Sequence, residues 1–198
     1  MQELYTYFLL GLQHILNIMA LDHLLFILSF VCVYTFANLK HTFYLVTAFT
    51  LGHSITLALA TFKLVNFSQN WIEFLIPCTI LLSALANLSF EKVAPSKEKL
   101  SLFKYVSITF FGLIHGLGFS NYLQSLLGQE QSVFKALFSF NVGLEIGQIV
   151  ALSFILLVSS IVVNVLKIKH KSLVLVVSGM IIGLCLPMIF ERVMQLGF

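Results

Sequence analysis

Charge is what this 198-residue sequence has least of: Asp, Glu, Lys and Arg together make up 10% of it, against 59% hydrophobic residues. A soluble domain carries about 25% charged residues. So few charges exclude a water-facing surface, and most of the surface must face lipid. The three cysteines, Cys32, Cys78 and Cys185, lie far apart in apolar runs, and no CxxC pair occurs. That excludes a cysteine-clamped redox or metal motif and leaves small buried hydrophobes. A single Trp and a scattered net charge of +3 exclude nucleic acid as a partner, since neither a stacking groove nor a basic face can be built from them. The polar breaks are too short to fold alone, so residues 1–198 read as a single transmembrane domain. Met1 to Glu3 carry no basic leader region, and the first apolar segment is expected to remain as a span.

A spanning helix needs about 20 apolar residues. Six stretches qualify: Tyr5–Ala37, Thr42–Phe62, Trp71–Leu88, Tyr105–Leu123, Ala136–Leu166 and Ser172–Met194. The expected fold is therefore an all-α polytopic membrane helix bundle of six helices, or seven if the first stretch crosses twice. Tyr5–Ala37 covers 33 residues, about 50 Å of helix against a core of about 30 Å. It must tilt, kink or split into a re-entrant piece and a span. Gln13, His14, Asn17 and Asp22 mark where such a break falls. Ala136–Leu166 is similarly long, and Gly143 and Gly147 flank Glu145 within it.

Lysine distribution sets the orientation. Lys40, Lys92, Lys97, Lys99, Lys104, Lys167, Lys169 and Lys171 fall on one side of a six-span arrangement, and Lys63, Lys135 and Arg192 on the other. The lysine-rich loops 89–104 and 167–171 are expected in the cytoplasm, with the chain in the bacterial inner membrane.

Against this background the ionisable residues inside apolar runs stand out, because a charge at the bilayer centre costs at least ~2.5–3.5 kcal/mol. Asp22, the only aspartate, adjoins His23 in Leu21-Asp22-His23-Leu24-Leu25-Phe26. His53 lies in Phe49-Thr50-Leu51-Gly52-His53-Ser54, His115 in Phe111-Gly112-Leu113-Ile114-His115-Gly116, and Glu145 in Phe140-Asn141-Val142-Gly143-Leu144-Glu145. His53 stands about 17 Å, His115 about 15 Å and Glu145 about 14 Å from its own helix end at ~1.5 Å per residue. Several stretches thus bring an imidazole or carboxylate to similar depth, a donor set suited to borderline divalent ions such as nickel, cobalt or zinc. The expected ligands are Asp22, His23, His53, His115 and Glu145. His14 is expected at the entrance, and Ser54, Asn141 and Gln148 as outer partners or lining, although such residues also serve as ordinary interhelical glue. His41 and His170 read as solvated loop residues, Glu73 as a charge at a helix N-terminus, and Glu191 with Arg192 as a local ion pair.

These segments resemble a known family. Gly11-Leu12-Gln13-His14-Ile15 followed by Leu21-Asp22-His23-Leu24-Leu25-Phe26 is similar to the opening motif of the HupE/UreJ family. The segments Phe49 to Leu57, Phe111 to Phe119 and Phe140 to Gln148 resemble three further motifs of that family, in the same order. Ala20 stands where the family pattern has Gly. The resemblance implies a nickel or cobalt permease of about six spans.

Three functions use the same side chains. A divalent-metal permease would bind its ion among them and release it on the other side, driven by a gradient, the membrane potential or a partner. An intramembrane zinc hydrolase would hold Zn²⁺ on His23, His53 and His115, with Asp22 or Glu145 as base. A proton relay would need no metal. The sequence favours the first, with the lipid bilayer and the metal ion as its partners.

Overall fold

The computed structural model describes residues 2–18, 21–89, 102–127 and 132–197, and no strand occurs among them. Most of the lysine-rich loop 89–104, with Lys92, Lys97 and Lys99, lies outside the described residues, as do residues 128–131 of the following loop. Eight α-helices are described: α1 Gln2–Leu16, α2 Leu21–Val31, α3 Leu39–Thr61, α4 Gln69–Ala86, α5 Leu102–Gly118, α6 Ser120–Leu127, α7 Val133–Ser160 and α8 His170–Gln195. Four are long and apolar enough to cross a membrane by themselves once flanking turns are included. The pairs α1–α2, bent by 63°, and α5–α6, bent by 48°, bring the number to six if each pair is one span.

The long first stretch therefore splits, and it does so at the polar residues that marked the break. The fourth stretch corrects the expectation of one straight helix: the chain turns at Phe119 without a proline there. The fifth stretch stays continuous over Val133–Val165, its last turn widening to a π-helix at Ile161–Val165. Its 33 residues are about 50 Å of helix, so it tilts or overshoots a ~30 Å core. Both α3 and α7 then stop on a lysine in the left-handed region, Lys63 and Lys167, each with φ 57°. Such a residue lets the following amide turn back onto the last carbonyls, as Leu64 N–H does to Leu59 O and Ile168 N–H to Val162 O.

Lipid offers helices no hydrophobic reason to associate, so close backbone approach and polar contacts must supply it. The most extensive contacts join α1 to α7, α3 to α5 and α4 to α8. In the first pair a Cβ on Gly11 would fall against the Phe140 carbonyl oxygen, and one on Gly143 against that of Phe8. In the second, a Cβ on Gly112 would meet the Phe49 carbonyl and one on Gly52 that of Thr109. These two pairs each run parallel. Ser139 Oγ donates to Leu4 O at 2.6 Å, and Gly143 and Gly147 then meet Phe8 and Leu12 in turn. Likewise Gly52 meets Thr109, and Thr56 Oγ1 donates to Leu113 O at 2.7 Å. Between the pairs lies a core with Phe26, Phe49 and Phe140 fully buried. Buried Asn87 at the end of α4 donates to Ser29 O at 2.5 Å and to Ser178 Oγ at 3.2 Å, tying α2, α4 and α8 together. Of the cysteines, Cys32 and Cys185 are buried and Cys78 partly so, all three unpaired thiols as their apolar surroundings imply.

Candidate metal centre

Both bends serve one place. His14 sits in the last turn of α1, and the bend swings the first turn of α2 back so that the His14 and His23 rings stand 4.4 Å apart between centroids. A straight helix would hold residues nine apart about 13 Å apart along its axis. The middle of α3 adds His53, 5.8 Å from His23 and 5.9 Å from His14. The last turn of α5 adds His115, 5.3 Å from His23, just before the second bend. Phe119, at that bend, lies 4.0 Å from the His14 ring and stacks on Phe140 at 5.3 Å.

His14, His23 and His53 each offer a ring nitrogen within 4.8 Å of the other two. Ligand nitrogens sit ~2.0–2.1 Å from a zinc-like ion, so the three would have to close inward to share one ion. His53 and His115 are 0% exposed and His23 3%. His14 Nε2, His23 Nε2, both nitrogens of His53 and His115 Nδ1 are buried and have no hydrogen-bond partner among the described residues. Each such group costs about 1–3 kcal/mol if nothing binds it. The five lie on four adjoining rings, and each neutral ring carries one N–H and one lone-pair nitrogen, so up to four lone pairs are available there.

The outer contacts fix which nitrogen points inward. Asp22 Oδ1 accepts from the His23 backbone N–H at 3.0 Å and stands 3.3 Å from His23 Nδ1, which leaves Nε2 for the centre. Thr79 donates its hydroxyl proton to Ile76 O at 2.7 Å, so its oxygen accepts from His115 Nε2–H at 3.0 Å. His115 Nδ1 is then the lone-pair nitrogen. Thr79→Val is expected to weaken metal binding about 10–100-fold, the usual cost of an outer partner, with isothermal titration of purified protein as the measurement. Unchanged affinity would remove Thr79 from this role.

A cavity of about 460 Å³ opens onto the cluster. His14, His23, His115 and Asp22 line its inner wall, and Gln69, Glu73, Tyr122 and Arg192 its outer part. Arg192 reaches across to Glu73 at 2.7 Å. The expected local pair with Glu191 is thus replaced by a bridge between α4 and α8, because both side chains face the same opening. Gln69 donates to Glu73 at 3.0 Å and to Gly118 O at 3.2 Å, bracing the mouth against the second bend.

The expected ligands do not all arrive. His23, His53 and His115 converge, with Asp22 beside them as an orienting carboxylate. His14 is at the centre rather than the entrance, since the bend after α1 folds it inward. Glu145 is not among the grouped side chains and does not line the cavity. Its Oε1 accepts from Thr47 at 2.7 Å. Ser54 donates to Asn141 at 2.6 Å and Thr50 to Gln148 at 2.6 Å. These pairs make a polar seam joining α3 to α7, to which the Glu145 carboxylate contributes. Glu145→Gln is accordingly expected to leave metal affinity unchanged by the same titration, and a weakened site would return Glu145 to the ligand set. His170 is also no loop residue: it opens α8, and its Nε2 lies 2.9 Å from Cys32 O. His41 lies in the first turn of α3. The sequence signal that would have placed His14 is the polar break itself, which forces its two flanks together.

The fold and site together define a polytopic helical membrane protein with a buried imidazole cluster beneath an open cavity. A family model described as HupE / UreJ protein matches residues 1–192, and the chain belongs to that family. No curated protein and no solved structure matches it.

Proposed function

We propose that the chain is a permease for a divalent transition-metal cation of the nickel or cobalt kind. The observation that carries this reading is the set of unpaired imidazole nitrogens from α1, α2 and α3, within 4.8 Å of one another at the inner end of a cavity. The family's association with nickel and cobalt agrees with that donor chemistry. His53 lies beyond the cavity wall rather than on it, so the donor path leads from the opening inward through the bundle. A hydrolytic zinc would keep its open coordination position toward the cavity.

Uptake takes its direction from the lysines. With Lys40, Lys104 and Lys167 to Lys171 in the cytoplasm of a bacterial inner membrane, the first turns of α4 and the end of α8 face outward, and with them the mouth. A doubly charged ion moving inward gains about 4.6 kcal/mol per 100 mV, at about 2.3 per charge. Its release on the inner side is assisted by protons, which compete for imidazole.

Elemental analysis of the purified protein, paired with nickel and cobalt uptake into proteoliposomes, tests this. Saturable uptake by reversible binding is the expected result. Stoichiometric zinc retained through purification, with no flux of any metal, would overturn the permease in favour of an intramembrane hydrolase.

A further inference from the structure

Three features of the fold occur twice. First, Gly11-Leu12-Gln13-His14 in α1 is echoed by Gly112-Leu113-Ile114-His115 in α5, and Phe49-Thr50-Leu51-Gly52 in α3 by Phe140-Asn141-Val142-Gly143 in α7. Second, the echo extends to packing. Gly11 meets the carbonyl of Phe140, while its counterpart Gly112 meets that of Phe49, the counterpart of Phe140. Gly143 meets Phe8, and its counterpart Gly52 meets Thr109. Phe8 lies three residues before Gly11, as Thr109 does before Gly112. Third, the architecture repeats in order. A bent pair (α1–α2, α5–α6) comes first. Next comes a long helix ending on a lysine with φ 57° (α3, α7), and then a helix with an interior proline, Pro77 in α4 and Pro187 in α8. Chance would have to reproduce sequence, contact partner and helix terminus together.

A repeat of three spans is odd, so the second copy runs in the opposite sense to the first. Transporters built this way hold their substrate between the copies and open alternately to the two sides as the copies exchange conformations. The described conformation opens at the start of α4. At the other end of α4, roughly 27 Å away at ~1.5 Å per residue, a second cavity of about 350 Å³ is lined by Ser83, Asn87, Lys104 and Ser107, with Phe30 and Phe111. Phe111 is the counterpart of Leu10, which lines the first cavity. At this cavity Ser29 Oγ donates to Ser83 Oγ at 2.8 Å and Asn87 donates to Ser29 O, joining α2 to α4.

We propose that the chain is two inverted three-span repeats, and that their exchange of conformation makes the cavity at Ser83, Asn87 and Ser107 the second mouth of the metal's path. This rests on the permease reading for its cargo, but not for its geometry. Ser29 and Ser83 are the contact that must part, and the α1–α7 and α3–α5 glycine pairs are the units that move whole.

The test uses full-length protein in vesicles of known orientation, with Cys32, Cys78 and Cys185 replaced by alanine. A membrane-impermeant methanethiosulfonate reagent is applied to either face of variants carrying Tyr122→Cys or Ser107→Cys. Tyr122→Cys is expected to react from one face and Ser107→Cys from the other. Adding Ser29→Cys with Ser83→Cys to the cysteine-free protein and oxidising to a disulfide should abolish metal flux, and a reductant should restore it. Reaction of both positions from the same face, no reaction at Ser107→Cys, or flux indifferent to the cross-link overturns the proposal. Absence of metal flux alongside the expected labelling would sink the permease reading alone, whereas flux alongside same-face labelling would sink the repeat exchange alone.

Discussion

His53→Leu is expected to abolish saturable nickel uptake into proteoliposomes and to weaken metal binding by more than the ~10–100-fold that loss of an outer partner costs. Leucine keeps most of the volume of a side chain that is 0% exposed, so the cavity cost of a truncation to alanine is avoided. It also removes two buried nitrogens that no described residue satisfies. If those nitrogens bind nothing, the variant gains stability by shedding about 1–3 kcal/mol of desolvation for each. If they bind the cargo, the apo protein gains stability and the function is lost. The two measurements together, thermal unfolding without metal and uptake with it, separate a ligand from a merely structural histidine. A variant with undiminished uptake would remove His53 from the site.

Gly112→Leu is expected to have the largest effect on folding. A side chain there would drive into the Phe49 carbonyl and crowd the His53 amide. Neither is the far end of a flexible group, and the parallel α3–α5 pair has to separate to admit it. Overpacking of yielding cores costs about 1–3 kcal/mol, and a backbone contact yields less, so the variant should unfold at least that much more readily in detergent. Gly11→Leu should behave alike, since it meets the Phe140 carbonyl in the equivalent pair. Gly179→Leu and Gly183→Leu are the controls: nothing lies within 4 Å of a Cβ at either position. Equal unfolding temperatures for Gly112→Leu and Gly179→Leu would show that close helix approach does not hold the bundle together.

Much of this was legible from residues alone, for identifiable reasons. Span positions follow from apolar length, which is why α3, α4 and α8 fall where the hydrophobic stretches do. The convergence of His23, His53 and His115 followed from the cost of burying imidazoles in lipid, which demands a common purpose. The centrality of His14 did not follow, because counting residues along a straight helix separates it from His23, and only the 63° bend reunites them. The bend at Phe119 leaves no proline to announce it. Glu145 misled because depth along a helix says nothing about the direction in which a side chain leaves it. Its neighbours Gly143 and Gly147 pack on α1, while the carboxylate itself turns to Thr47 of α3. The internal echo of the two halves is visible in four-residue fragments only, too short to register until the packing shows them performing one job.

The ion pair of Glu73 and Arg192 is about one-third exposed on each side, and pairs of that kind add little to stability. Its effect is felt in the approach of solutes. Asp22, Glu73, Glu191 and Arg192 line one recess beside the mouth, and a lone guanidinium among three carboxyl groups leaves a surplus of acid there. Such a field gathers cations from solution and repels anions, over a reach that shrinks to about 8 Å at physiological ionic strength. On the permease reading, dilute metal would be captured fastest from fresh water, and added sodium chloride would slow the encounter before it touched the turnover.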